Sequence, residues 1–212
     1  LLFGNRRGAC PLQYTFKHSH SGCVSENGVT PGAAAFTPGF MTNKKSPLRL
    51  ASTSPVLELM PGDVALGLAG DQLKTLLGSC VSVILTDPRR TVAAMCHIVH
   101  VGRPNAMNAG NTAYGEVAME NMFARLLSVG IFGARCEAYV FGGGNMFPQL
   151  FNRVHVGVNN AEWVLDFLHD HGIAVVDYCL GGNGYRKVSW TVGSGEPVVE
   201  TVFSEQDTSD GC

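Results

Sequence analysis

The sequence predicts an α+β domain in which antiparallel or mixed β-sheets are layered with two to three helices. Three observations carry that prediction. Short β-branched apolar runs outnumber amphipathic helical stretches, at least two pairs of neighbouring runs are joined tightly enough to form hairpins, and strand and helix patterns do not alternate as a doubly wound parallel sheet requires.

Residues 1–54 come first and differ from the rest. They are rich in Gly, Ser, Thr, Pro and Asn, and the segment "NGVTPGAAAFTPGFMTNKKSP" has neither helical nor strand periodicity. Such a segment buries too little apolar surface to offset its ordering entropy, so a mobile arm is expected. His18 and His20 within it read as solvated polar residues rather than metal ligands.

A folded domain is expected over 55–204. "VLELM" and "DVALGL" flank Pro61–Gly62 and predict a hairpin. "CVSVILT" reads as a strand, "DPRR" as a tight turn, and "TVAAMCHIVHVG" as a second strand antiparallel to the first. Gly102 to Ala113 is a loop. "YGEVAMENMFARLLSVG" places Met119, Met122, Phe123, Leu126 and Leu127 at helical spacing and closes at Gly130. "CEAYVF" is a strand that runs into Gly142–Gly143–Gly144–Asn145. A second helix follows in "NNAEWVLDFLHDHG", with Asn159 as the N-cap, Glu162 completing a capping box and Gly172 past its end. "IAVVDYCL", "RKVSWTV" and "PVVETVF" complete the strands, and a frayed tail is expected over 205–212.

Composition narrows the function classes. The chain has 212 residues, 45% of them hydrophobic, and a formal net charge of −2, which gives no electrostatic reason to expect nucleic acid or anionic lipid as a partner. No apolar run approaches the roughly 18–20 residues that span a bilayer, and "LLFGNRRGACPLQYTF" lacks the apolar core of a secretory signal. The seven cysteines are odd in number and scattered, with no C-x-x-C pair, so a reducing, cytoplasmic compartment is expected.

One cysteine stands out. In "KTLLGSCVSVILTDP" a Gly78–Ser79 step interrupts the backbone just before Cys80, although glycine weakens strands. Such a step bends the chain and leaves N–H groups beside the sulfur that could hold an oxyanion. A cysteine nucleophile needs a base, usually His. His169 and His171 belong to a helix end and His155 to a polar segment. That leaves His97 and His100, which alternation places on opposite faces of the strand following Cys80. The runs "FGGGNMF" and "LGGNGYRKV" lack a phosphate-loop pattern. They read either as tight turns at the end of a sheet or as bare backbone walls around a site. Asn145 and Arg186, one on each run, are candidate substrate contacts beside Gly78 and Ser79.

Taken in series, "TLLGSCVSVILTDP", "AAMCHIVHVGRP", "YGEVAMENMFARLLSVG", "VFGGGNMF", "VGVNNAEWVLDFLHDHGI" and "LGGNGYRKV" resemble the CheD family, over about Val56 to Phe203. The resemblance implies a cysteine-dependent protein-glutamine glutaminase. Such an enzyme converts particular Gln side chains of methyl-accepting chemotaxis receptors to Glu and releases ammonia, without metal or organic cofactor. It also implies binding to a CheC-type phosphatase. The family's nucleophile corresponds to Cys80 and its base to His97. Its third catalytic residue is a Thr six positions before the cysteine, where this chain has Lys74, with Thr75 beside it. Lys has no acceptor to offer an imidazole N–H. Either Thr75 takes the role through a small shift, or a backbone carbonyl orients His97. The alternative is that the chain is a weakly active or inactive adaptor.

Overall fold

A computed structural model describes residues 54–150 and 155–202. All but Ser54 of the arm expected over 1–54, with His18 and His20, and the whole tail expected over 205–212 lie outside the described residues. The strands are β1 (Val56–Leu59), β2 (Val64–Leu68), β3 (Gln72–Leu77), β4 (Val81–Thr86), β5 (Val92–Ile98), β6 (Glu137–Gly142), β7 (Ala174–Leu180), β8 (Tyr185–Thr191) and β9 (Val198–Val202). Two α-helices accompany them among the described residues, α1 (Gly115–Ser128) and α2 (Val156–Asp170).

The strands form two mixed sheets, one in the order β1-β3-β8-β9 and the other β2-β5-β4-β6-β7. The expected α+β class holds, and period-two alternation explains the layering. On β4 and β5, Val81, Val83, Leu85, Ala94, Cys96 and Ile98 face the helices, where they join Met119, Met122 and Leu126 of α1 and Val164 and Leu168 of α2. The intervening Ile84, Ala93 and Met95 face the other sheet and pack with Leu73, Leu77, Val188 and Trp190. Both strands are therefore buried on both faces, and every residue of each is buried.

Four expectations are corrected. The hairpin around Pro61–Gly62 does not form: β1 pairs parallel with β3, whereas β2 pairs antiparallel with β5 in the other sheet. The Pro61–Gly62 corner instead carries the chain from one sheet to the other, with the Asp63 carboxylate accepting the Met60 N–H at 2.8 Å. Strand β3 was not expected, because Lys74 and Thr75 obscure the alternation of its inward Leu73, Thr75 and Leu77. Helix α2 begins at Val156 with His155 as N-cap, so Asn159 is an interior residue and no capping box forms. On α1, Leu127 is exposed because the buried stripe runs through Ala118, Met119, Met122 and Leu126.

The β4–β5 hairpin has the expected antiparallel pairing, with Val81 opposite Ile98 and Ser82 opposite His97. Its turn is organised by one carboxylate. Asp87 Oδ1 accepts the N–H groups of Thr91 at 2.7 Å and Val92 at 3.0 Å and the Thr91 hydroxyl at 3.0 Å, while Oδ2 accepts the Arg89 N–H at 3.2 Å. Desolvation pushes this carboxyl up, but the donors from Val92, Thr91 and Arg89 outweigh it and hold it below the ordinary 3.8.

Asp87→Asn removes a charged acceptor from four donors, one of them the buried Val92 N–H, and is expected to destabilise the domain by about 1–3 kcal/mol, seen as a melting point lower by several degrees. Because the folded-state pKa is depressed, the stabilisation is present above 3.8 and is lost as pH falls through the folded value. The variant is expected to lose that acid-sensitive component of the wild-type melting profile, and an unchanged melting point and acid limb would contradict this role.

Candidate active site

The pairing of β4 and β5 decides where Cys80 and His97 lie. By register Cys80 falls opposite Val99, one rung beyond the Val81–Ile98 pair. Alternation puts Cys80, Ser82 and His97 on the face turned towards the β1-β3-β8-β9 sheet, and Cys80 packs against the inter-sheet core. Cys80 and His97 are thus a diagonal pair on one face, a relation that spaces Cβ atoms about 7 Å apart in an antiparallel ladder. His100 lies beyond the end of β5, exposed, its ring centroid 4.9 Å from that of Tyr114. His171 stacks on Phe167 at 4.0 Å. Of the candidate bases, His97 is the one turned into the core, with only 2% of its surface exposed.

A polar chain crosses between the sheets at this point. The Thr75 hydroxyl donates to the Leu59 carbonyl oxygen at 2.9 Å, and Thr75 Oγ1 also lies 2.9 Å from His97 Nδ1. A hydroxyl has one hydrogen to give. With it committed to Leu59, the oxygen accepts from the ring, which places the imidazole proton on Nδ1 and leaves Nε2 bare. Thr75 needs no shift to reach the ring, because β3 alternation turns it inward and Lys74 outward. The backbone of His97 is pinned as well: its N–H donates to the Asp63 carbonyl at 3.0 Å and its carbonyl accepts the Gly62 N–H at 2.9 Å. The corner that failed to make a hairpin is what holds the His97 backbone. Ser82 Oγ, directly opposite His97 in the ladder, is buried and has no hydrogen-bond partner among the described residues.

Burial dominates the electrostatics. Desolvation lowers the His97 pKa below its ordinary 6.5, more than the Leu59 carbonyl and the Asp63 charge raise it. Desolvation likewise raises the Cys80 thiol above 9.0. Both shifts favour the neutral forms, a thiol at Cys80 and an uncharged imidazole at His97.

The backbone around the sulfur is fixed on three sides. Gly144 N–H donates to Gly78 O at 2.9 Å, Gly143 N–H to Cys80 O at 2.8 Å, and the Asn160 side chain to Ser79 O at 3.1 Å. The amides of Ser79 and Cys80 have no acceptor among the described residues. Glycine is required where the loops meet. Gly142 has φ +116°, and a Cβ there would lie 2.2 Å from the Cys80 carbonyl oxygen; at Gly143, with φ +66°, it would lie 2.7 Å from Gly157 O. The second glycine run closes on the first, with Asn145 N–H donating to Gly182 O at 2.8 Å.

The two other expected contacts sit on this cluster. Asn145 is buried and its Oδ1 accepts the Phe147 N–H at 3.1 Å, which shapes the turn leaving the first run. Arg186 is only 5% exposed. Its Nε donates to Cys179 Sγ at 3.3 Å and its Nη2 to Gly181 O, while Nη1 is buried without a partner among the described residues. A Cβ at Gly144 would lie 3.3 Å from that Nη1 and 3.2 Å from Gly78 O, so the guanidinium borders the Cys80 loop. Sequence reasoning missed Asn160. The available signal was a polar residue on the buried stripe of α2, between Gly157 and Ala161, Val164 and Leu168.

Comparison with known proteins adds an independent line. The family model described as CheD chemotactic sensory transduction matches residues 101–201, a span holding both helices and both glycine runs. The probable chemoreceptor glutamine deamidase CheD 2 of Albidiferax ferrireducens is 35% identical over 160 residues, which is 74% of this chain and 88% of that protein. The probable chemoreceptor glutamine deamidase CheD of Bordetella petrii is 31% identical over 147 residues, 68% of this chain and 66% of its own. That from Rhizobium rhizogenes is 39% identical over 125 residues, 58% of this chain and 66% of its own.

Two outcomes test the geometry. Gly142→Ala is expected to cost on the order of 1–3 kcal/mol from backbone conformation alone, and more from the clash with Cys80 O; a melting point equal to wild type would contradict the close approach. Iodoacetamide is expected to alkylate Cys80 slowly at neutral pH, with the rate rising to a midpoint above 9.0. A rate plateau already reached near neutrality would mean that a thiolate–imidazolium pair exists at rest.

Proposed function

This chain belongs to the CheD family, and from that membership we propose that it is a protein-glutamine glutaminase, deamidating Gln side chains of methyl-accepting chemotaxis receptors in the cytoplasm. The single observation that best supports the reading is Thr75 Oγ1 against His97 Nδ1 at 2.9 Å, on the strand beside Cys80. It leaves a bare Nε2 as a general base on the face that carries the thiol.

In the proposed reaction, His97 Nε2 takes the Cys80 proton as sulfur attacks the carbonyl carbon of the Gln side chain. The carbonyl π-electrons move to oxygen, and the amides around Gly78–Cys80 stabilise the oxyanion. The oxyanion collapses, the C–N bond breaks, and the imidazolium protonates the departing nitrogen, which leaves as ammonia. A water then attacks the thioester, giving a proton to His97. The C–S bond breaks, the thiolate recovers that proton, and the side chain departs as Glu, its carboxylic acid passing the remaining water proton to solvent to become a carboxylate. Thr75 keeps the ring in the tautomer that both half-reactions use. The His97 pKa, lowered by desolvation, keeps the ring a competent base below 6.5.

Arg186 and Asn145 supply the substrate contacts in this reading. Arg186 holds the Gly181 carbonyl and borders the Cys80 loop, shaping the wall that the target Gln meets, while Asn145 holds the turn that frames the approach. A CheC-type phosphatase is proposed to bind at the receptor-binding face. The adaptor alternative rested on Lys74. That side chain lies on the outer face of β3, so it offers no observation in the adaptor's favour.

Purified chain incubated with receptor cytoplasmic fragments is expected to release ammonia, and Cys80→Ala is expected to release none; activity surviving that change would overturn the assignment. Thr75→Val is expected to lower kcat by on the order of 10- to 100-fold, part of what a positioned base contributes. Lys74→Thr is expected to stay within about twofold of wild type, as an outward position should. A large gain from Lys74→Thr would instead show that the ring is poorly oriented in the natural chain.

A further inference from the structure

The side chain of Asn160 is where a helix reaches the catalytic loop. It projects from the buried face of α2, only 1% exposed, and its Nδ2 donates to two carbonyl oxygens, Ser79 O at 3.1 Å and Val99 O at 3.1 Å. Those two carbonyls lie just past the paired ends of neighbouring strands, Ser79 before β4 and Val99 after β5. Ser79 is one residue before Cys80, and Val99 is the residue that the β4–β5 register places opposite Cys80. The ladder itself has ended by then, since β4 begins at Val81 and β5 stops at Ile98. One amide therefore satisfies two acceptors that the sheet no longer serves and takes the place of a missing rung.

The consequence for Cys80 follows from the peptide unit. Ser79 C=O and Cys80 N–H belong to one planar group, and the described residues contain no cis peptide bond. In a trans unit the N–H points opposite to the C=O. With the carbonyl drawn towards α2, the Cys80 N–H is turned away from the helix, to the side on which Cys80 packs against the inter-sheet core. No acceptor among the described residues takes that N–H. We infer that Asn160 is a positioning residue that fixes the Ser79–Cys80 peptide so that the Cys80 amide presents its hydrogen to the developing oxyanion. The inference rests on the hydrolytic reading above and adds to it a residue that touches neither substrate nor sulfur.

The role differs from that of a residue needed only for folding. Alkylation of Cys80 by iodoacetamide generates no oxyanion, whereas attack on an amide does. Asn160→Ala and Asn160→Leu, the second close to Asn in shape and unable to donate, are to be compared in the full chain with wild type. The expected result is a kcat for ammonia release from the receptor fragment lower by about 10²-fold, the scale of losing one oxyanion donor. KM and the Cys80 alkylation rate are expected to change little, and the Cys80 amide resonance is expected to move while that of His97 stays in place. Asn160→Ser, which retains one donor, is expected to recover part of kcat and carries the comparison if the other two do not fold.

Unchanged kcat would overturn the assignment, as would alkylation and deamidation falling together, which would mean a displaced thiol or imidazole. Failure of all three variants to fold would make Asn160 a structural residue and overturn it too. If wild type releases no ammonia, the hydrolytic reading fails by itself. The Cys80 resonance then still decides whether Asn160 sets this peptide, and a resonance that does not move overturns that.

Discussion

The structure depends on satisfying polar groups in the layer between two sheets. Leu59, Thr75 and His97 come from three strands, two in one sheet and one in the other, and a chain of hydrogen bonds runs through them. An imidazole buried there would be costly without a partner, since an unpaired buried polar group loses on the order of 1–3 kcal/mol. The same bond that removes that cost selects the tautomer. The hydroxyl that lets His97 be buried is thus also the one that leaves Nε2 bare.

The second requirement is a rigid backbone beside the sulfur. Three successive carbonyls, those of Gly78, Ser79 and Cys80, are each bound from outside the loop, by Gly144, Asn160 and Gly143. Their partners come from the end of β6 and from α2, so the site is assembled by elements distant in sequence. The glycine runs serve that contact, because a side chain at Gly142 would meet the Cys80 carbonyl. Donors fixed before the reaction need no reorganisation when charge develops, which is the source of their effect. Burial raises the Cys80 thiol and lowers the His97 imidazole, and so favours the uncharged form of each in this low-dielectric layer.

Much of this was legible in the sequence, and the gaps have physical causes. The β4–β5 hairpin was readable because its apolar, β-branched runs flank a short turn, residues 87–91, and its register follows from that turn. The Gly–Ser step before Cys80 was readable because glycine has no reason to precede a core strand. Strand β3 was not, since a Lys and a Thr at its centre hide the alternation, and without it Thr75 seemed displaced from its target. The Pro61–Gly62 corner looked like a hairpin because local patterns do not say which sheet a strand joins; that choice is made by non-local pairing of β2 with β5. Asn160 escaped notice because two asparagines in a row before an apolar run read as a helix start, whereas the helix begins at Val156.

The proton on His97 is the most direct thing to observe. Nitrogen NMR of the imidazole in the full chain would report which ring nitrogen carries hydrogen and at what pH the second proton binds. Nδ1 protonated, Nε2 bare and titration below 6.5 is the result that Thr75 and burial require. A ring protonated on Nε2 instead, or an imidazolium persisting above 6.5, would contradict a neutral base oriented by Thr75.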